Sequence, residues 1–375
     1  SAQDRFFFLS EVNLNDGSKA GLFGSRYDYS KTGVSISRYE NDQIKWEIAR
    51  KFNFGLELGL YNSINLNVDF FGETRSNILM DRIILASMGL QSGVRANVGE
   101  AKNHGIDLSL DYQHRFSNDF WILGRGNFTW ATSEMVRYEE PDYSDTPWLS
   151  RVGKPLNQTW GYIAERLFVD QAEINNSPEQ FGEYLPGDIK YKDVNRDGKI
   201  STLDRVPIGY PTVPEIIYGF GFSTGYKKWD LSCFFQGSAR SSFWIDQQAS
   251  APFRKNAYNS NLLGNTNFLK AYAEDHWSTE NQDLYALWPR LSENIVENNN
   301  QISTWFMQDG SFLRLKSVEF GYSVPINNLD LFRIYASGTN LLTFSKFKLW
   351  DPEMGGNGLG YPIQKVWNIG LQINF

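Results

Sequence analysis

Apolar and polar residues alternate along much of this chain, most cleanly at its end. Trp367, Ile369, Leu371, Ile373 and Phe375 share one face of an extended strand, while Val366, Asn368, Gly370, Gln372 and Asn374 share the other. The same period recurs upstream. Phe54, Leu56, Leu58 and Leu60 oppose Asn53, Gly55, Glu57 and Gly59, and Ile64, Leu66, Val68 and Phe70 oppose Asn65, Asn67 and Asp69. Tyr61-Asn62-Ser63 between them predicts a hairpin. Ile106, Leu108, Leu110 and Tyr112 continue the pattern, as do Tyr218, Phe220 and Phe222, then Trp229, Leu231, Cys233 and Phe235, then Val318, Phe320, Tyr322 and Val324. About ten to twelve strands are expected on this period-two signal.

The spacing of the strands decides what the apolar face meets. Tight turns are expected around Phe116 to Asp119, at Lys227-Lys228 and at Asn327-Asn328, and long connections near 138–212, 245–303 and 345–364. Connections of that length are uncommon in compact domains. Alternating short turns and long loops instead fit an antiparallel transmembrane β-barrel, with lipid on one strand face and a polar lumen on the other. A soluble sandwich would put a second sheet against the same face.

Composition agrees with a barrel. Aromatic residues make up 15% of 375 residues, with 12 Trp and 32 Gly. Mean hydropathy is −0.44, as expected when only alternate residues meet lipid, and no stretch reaches the roughly 18 apolar residues of a membrane helix. A net charge of −7 argues against nucleic acid as a partner. Cys233 is the single cysteine, so no internal disulfide is expected. The start of the chain shows no charged and apolar leader. It is therefore expected to be a mature chain or a fragment.

One motif has metal-ligand spacing. From Asp193 to Asp204, oxygen donors fall at positions one, three, five, nine and twelve, with Gly198 at six for the sharp turn. Asp193, Asn195 and Asp197 would give side-chain oxygens to calcium, Lys199 its carbonyl, Ser201 its hydroxyl or a bridging water, and Asp204 the terminal carboxylate. Such an ion would pin a long extracellular loop, offsetting the entropy of ordering it. An acidic turn without metal is the alternative. Catalytic motifs do not stand out: His104 and His114 on one strand would lie about 33 Å apart at roughly 3.3 Å per residue, and no HExxH, GxSxG or phosphate loop is visible. The expectation is a protein that is not an enzyme. Trp160, Tyr162, Trp277, Trp288 and Trp350 lie off the clear strand faces, either as loop core or as contacts for a ligand or a covering lid.

Several ordered segments resemble the SusC/RagA-like TonB-dependent transporters of Bacteroidetes outer membranes. They are Asn97-Val-Gly-Glu100 with Asn103-His-Gly-Ile-Asp107; Gly153-Lys-Pro-Leu156 with Trp160-Gly-Tyr-Ile163; Pro186-Gly-Asp188 running into the calcium-like loop, Asp204-Arg205 and Ile208-Gly209; Pro289-Arg290-Leu291 before Ser311 to Pro325; and Asn340-Leu-Leu-Thr343, Asp351-Pro-Glu353 and Tyr361-Pro362 before the last strand. The resemblance runs from about Ile44 to Phe375. Glu165-Arg-Leu-Phe168 departs from it by lacking the glycine of the family's Gly-Leu-Phe. Gly370, Ile373 and Phe375 resemble the carboxy-terminal signal read by the barrel assembly machinery.

The resemblance implies a barrel of about 22 strands around a plug, of which residues 1–375 would be the carboxy-terminal part, the plug being absent. An amino-terminal half would have to close it, because open strand edges are not tolerated in lipid. It further implies import of an oligosaccharide or peptide across the outer membrane of a Gram-negative bacterium, under a SusD-like lipoprotein lid and driven by TonB through the plug. Rival expectations are a siderophore or cobalamin receptor of the same class, a soluble calcium-stabilised adhesin or carbohydrate-binding protein, and a barrel lipase or protease.

Overall fold

A computed structural model describes residues 6–253, 269–326, 329–358 and 360–374. Among these residues there are eleven long strands: β1 (Glu11–Phe23), β2 (Tyr29–Arg38), β3 (Ile48–Leu60), β4 (Ile64–Asp81), β5 (Arg95–Ser117), β6 (Phe120–Arg137), β7 (Ile216–Tyr226), β8 (Trp229–Ala239), β9 (Phe312–Ser323), β10 (Leu331–Ser345) and β11 (Val366–Asn374). Strands β3 to β11 form one antiparallel meander of nine, each paired with its sequence neighbours, with β3 and β11 at the two edges. Strands β1 and β2 make a separate two-stranded hairpin, which is tied to the meander through side chains rather than through a ladder. The Ile36 N–H, for instance, donates to the Gln91 side-chain oxygen, and the Ser92 hydroxyl donates to the Ser37 carbonyl, both from the connection between β4 and β5.

The register explains the alternation. Leu60, Ile64, Tyr112, Gly124, Phe222, Cys233, Val318, Gly338 and Trp367 stand side by side across all nine strands. Three positions along on most strands, Glu57, Asn67, Ser109, Asn127, Gly219, Gln236, Arg314 and Thr343 form a polar row on the opposite face. A one-residue slip would exchange the two faces, so the pattern fixes the pairing. Ion pairs cross the polar face: Arg125 meets Asp111 at 2.7 Å, and Arg333 bonds both Asp230 and Glu319. Among the described residues, the apolar face is largely open to the surroundings. Ile369 is 86% exposed and Trp367 72%, as befits a surface meant for lipid.

Short turns at 61–63, 118–119 and 227–228 lie at one end of the meander. The turn expected at Asn327-Asn328 falls outside the described residues, as does Phe375. Aromatic rings gather at this end: His114, Phe116 and Phe120 contact in sequence, Phe120 meets Tyr226, and Trp229 meets Phe320 and Tyr322. Such rings form the interfacial girdle of a barrel. The long connections 138–215, 240–311 and 346–365 all leave from the opposite end.

Candidate functional site: a loop cap on the polar face

The buried apolar core of this chain lies in its loops. Tyr162, Leu167, Ile189, Tyr191 and Ile200 from residues 138–215 pack with Ile245, Tyr272, Trp277, Trp288 and Phe306 from 240–311, and with Phe347 from 346–365. Three connections therefore fold as one cap. Gly187 shows how close the packing is: it sits at φ +86°, and a Cβ there would lie 2.2 Å from the Trp277 ring. Tyr162, Trp277 and Trp288 are buried, so these rings face other cap side chains rather than a ligand or a lid. Trp160 is half-buried and donates to the Trp148 carbonyl at 3.1 Å. Trp350, also half-buried, packs edge-on to Phe347 and donates to the Gly355 carbonyl.

Buried charges join the loops to each other and to the sheet. Asp188 is fully buried and receives two bonds from Arg290, at 3.1 and 2.9 Å, one from Asn299 and one from the Leu185 N–H. The Pro-Gly-Asp and Pro-Arg-Leu segments thus meet across more than one hundred residues of sequence. Beside them, buried Asn298 donates to the Ile189 carbonyl, and Tyr191 donates its hydroxyl proton to the Asn298 carbonyl. A second meeting joins wall to cap. Arg314, on the polar row of β9 and 2% exposed, bonds both oxygens of Asp351 at 2.6 and 2.8 Å and lies 2.7 Å from Glu353. Residues 346–365 are thereby strapped to the polar face. Gly356 presses against the 244–246 backbone, and its carbonyl accepts from the Asp246 N–H.

In the sequence these segments stand far apart, and nothing local pairs them. The available signal was a charged residue inside each apolar stretch, such as Arg314 between Leu313 and Leu315. Under the strap, a cleft of about 370 Å³ opens between the wall (Gln236, Ser238, Phe312) and the cap (Ser241, Phe243, Glu353).

The calcium-like loop divides into two parts. Asp193 accepts from the Arg196 and Gly198 N–H groups, Asn195 from Asp197, and Asp197 from Lys199. These oxygens lie on the partly exposed side of the turn, and Gly198 takes φ +87° as the sharp bend demands. Asp204 is different. It is fully buried, and its two oxygens accept from the Val194, Asn195 and Ser201 N–H groups and the Ser201 hydroxyl. A carboxylate has about four lone-pair sites, so those of Asp204 are already engaged. Among the described residues no group of three or more His, Cys, Asp or Glu side chains converges as a metal cage. Asp204 thus holds the start of the loop and Ser201 together through backbone N–H groups.

In the last strand, Gly370 lies under Tyr335, whose ring a Cβ would meet at 2.4 Å, and Ile373 faces outward opposite Phe332.

Residues 12–341 match the family described as TonB dependent receptor-like, beta-barrel. The chain belongs to this family. The receptor barrel is 26% identical to TonB-dependent receptor P3 of Formosa agariphila, over 93% of this chain and 36% of that protein. It is 24% identical to the TonB-dependent receptor SusC of Bacteroides thetaiotaomicron, over 94% of this chain and 34% of that one. The RagAB peptide importer in its closed-closed state shares the fold with a TM-score of 0.64, at 24% identity, over 99% of this chain and 39% of that one. The receptor barrel thus spans about a third of the length of its curated relatives. The family is that of the β-barrels of outer-membrane TonB-dependent receptors.

Proposed function

We propose that this receptor barrel supplies lumen wall and extracellular cap to a TonB-dependent importer of oligosaccharides or peptides, working beneath a SusD-like surface lipoprotein. The observation that supports it best is the cap itself: three long loops share one core and are strapped by Arg314 to the polar face of an otherwise lipid-facing sheet. A wall with a built roof suits capture and passage of a bulky polar solute. In this reading TonB acts through a plug, the barrel assembly machinery reads Gly370, Ile373 and Phe375, and an amino-terminal half of the same barrel covers the edges of β3 and β11. Calcium in the 193–204 loop would stiffen the cap, held by Asp193, Asn195, Asp197, the Lys199 carbonyl and Ser201.

Detergent-dependent purification of the native complex with mass spectrometry, followed by uptake assays in cells lacking the receptor, tests this function. Co-purification with a plug-bearing polypeptide and a lipoprotein, and loss of growth on one oligosaccharide or peptide source, are expected. A species that is folded, monomeric and stable without detergent would overturn it.

A further inference from the structure

The cleft beneath the strap holds a charge that its surroundings do not balance. Arg314 contributes one positive charge, and Asp351 neutralises it through two bonds at 2.6 and 2.8 Å. Glu353 is a second carboxylate on the same guanidinium nitrogen, at 2.7 Å. The trio therefore keeps one net negative charge. Its outlet is Glu353, whose side chain is 34% exposed and which alone among the residues lining the 370 Å³ cleft is charged. The rest of the lining is neutral, with polar Gln236, Ser238 and Ser241 and apolar Phe243 and Phe312. Screening by water is incomplete in such a cleft, so an unbalanced carboxylate there favours a cation and disfavours an anion.

We propose that this cleft is a subsite for a primary ammonium group carried on a neutral polar body, seated against Glu353. An ammonium offers three donors and no acceptor. Glu353 accepts one, and Gln236, Ser238 and Ser241, which line the same cleft, are polar side chains able to accept the others. A hydroxyl can also donate to Glu353, but it leaves the net charge unmatched. Two sources supply this chemistry: the free amino group of a short peptide and the amine of a de-acetylated amino sugar. The inference rests on the importer reading above and sharpens it.

The complete receptor containing this chain, purified in detergent, provides the test. Binding of triglycine and of a glucosamine trimer is measured beside the N-acetylated form of each, for the wild type and for Glu353→Gln. Glutamine keeps an acceptor for Arg314 and removes only the charge. At least one free amine is expected to bind about tenfold or more tightly than its acetylated form, and Glu353→Gln is expected to abolish that difference. The pair that shows the preference identifies the source. Equal binding of free and acetylated probes by the wild type, a preference that survives in Glu353→Gln, or no binding of any probe by a detergent-dependent receptor would each overturn the subsite while leaving the importer reading intact. A receptor that folds and stays soluble without detergent would overturn both.

Discussion

The decisive residues are buried charges. Asp188 has no exposure, and Arg290 is its only cationic partner among the described residues. Arg290→Ala leaves a buried carboxylate with only neutral donors, which typically costs about 3–5 kcal/mol. Hydrogen exchange should therefore accelerate at 185–192 and 296–300 together, because Asn298 and Asn299 share the network; acceleration in one segment alone would show that the pair does not join the loops. The 193–204 loop gives a second residue-scale outcome. Calcium is expected to slow exchange at 193–201 relative to chelator, and Asp197→Ala to remove that response. Asp204→Ala should loosen the loop with or without calcium, since its oxygens serve backbone N–H groups. Identical exchange in calcium and chelator would reduce the loop to a hydrogen-bonded turn.

At the scale of elements, the short helix Gln171–Asn175 is held by charge. Burial works to raise the Glu173 carboxyl, but bonds from Arg166, Lys190 and the Val169 N–H outweigh it and hold it at about 2. A folded value below the ordinary 4.5 means stabilisation that is complete above about pH 4.5 and lost as pH falls towards 2. Acid should therefore loosen residues 165–175 and 190 in that window, and Glu173→Gln should remove the pH dependence, as exchange rates measured between pH 6 and pH 2.5 would reveal. Strand β11 is held differently. Ile369 is 86% exposed and meets little protein beyond its cross-strand partner Ala336, so Ile369→Arg should fail through lipid contact, costing about 2–4 kcal/mol near the strand centre; folding yield into vesicles reads it, and an unchanged yield would mean this face does not meet lipid. The strands were legible because lipid and lumen impose a strict period of two, as at Leu56, Leu58 and Leu60. The cap was not, because Tyr162, Trp277 and Trp288 come from distant loops with no shared period, and nothing local separates a ring that fills a core from one that binds a ligand.

The whole molecule divides its stabilisation between two solvents. The cap buries Tyr191, Tyr272, Phe306 and their neighbours against each other and needs only water around it. The sheet buries almost nothing against protein: of its strand residues, Ala101, Phe312 and Leu341 are the buried apolar side chains among those described. Its outward rows depend on lipid or detergent, and its edges at β3 and β11 on further strands. The two parts should therefore respond to opposite perturbations. Diluting detergent below its micellar concentration is expected to expose the meander to protease while the cap segments 159–208 and 270–306 remain protected, because Asp188, Arg290 and most of the aromatic core lie within them. Moderate urea in intact bilayers should do the reverse, raising exchange in the cap before the strands, whose backbone bonds are shielded by lipid. The strap at 346–365 is the informative segment, since Phe347 belongs to the cap core and Asp351 to the Arg314 contact with the wall. Loss of protection there on detergent dilution, with Phe347 still buried, would show that Arg314 is the joint between the two parts; simultaneous unfolding of cap and sheet under both treatments would show instead that they form one cooperative unit.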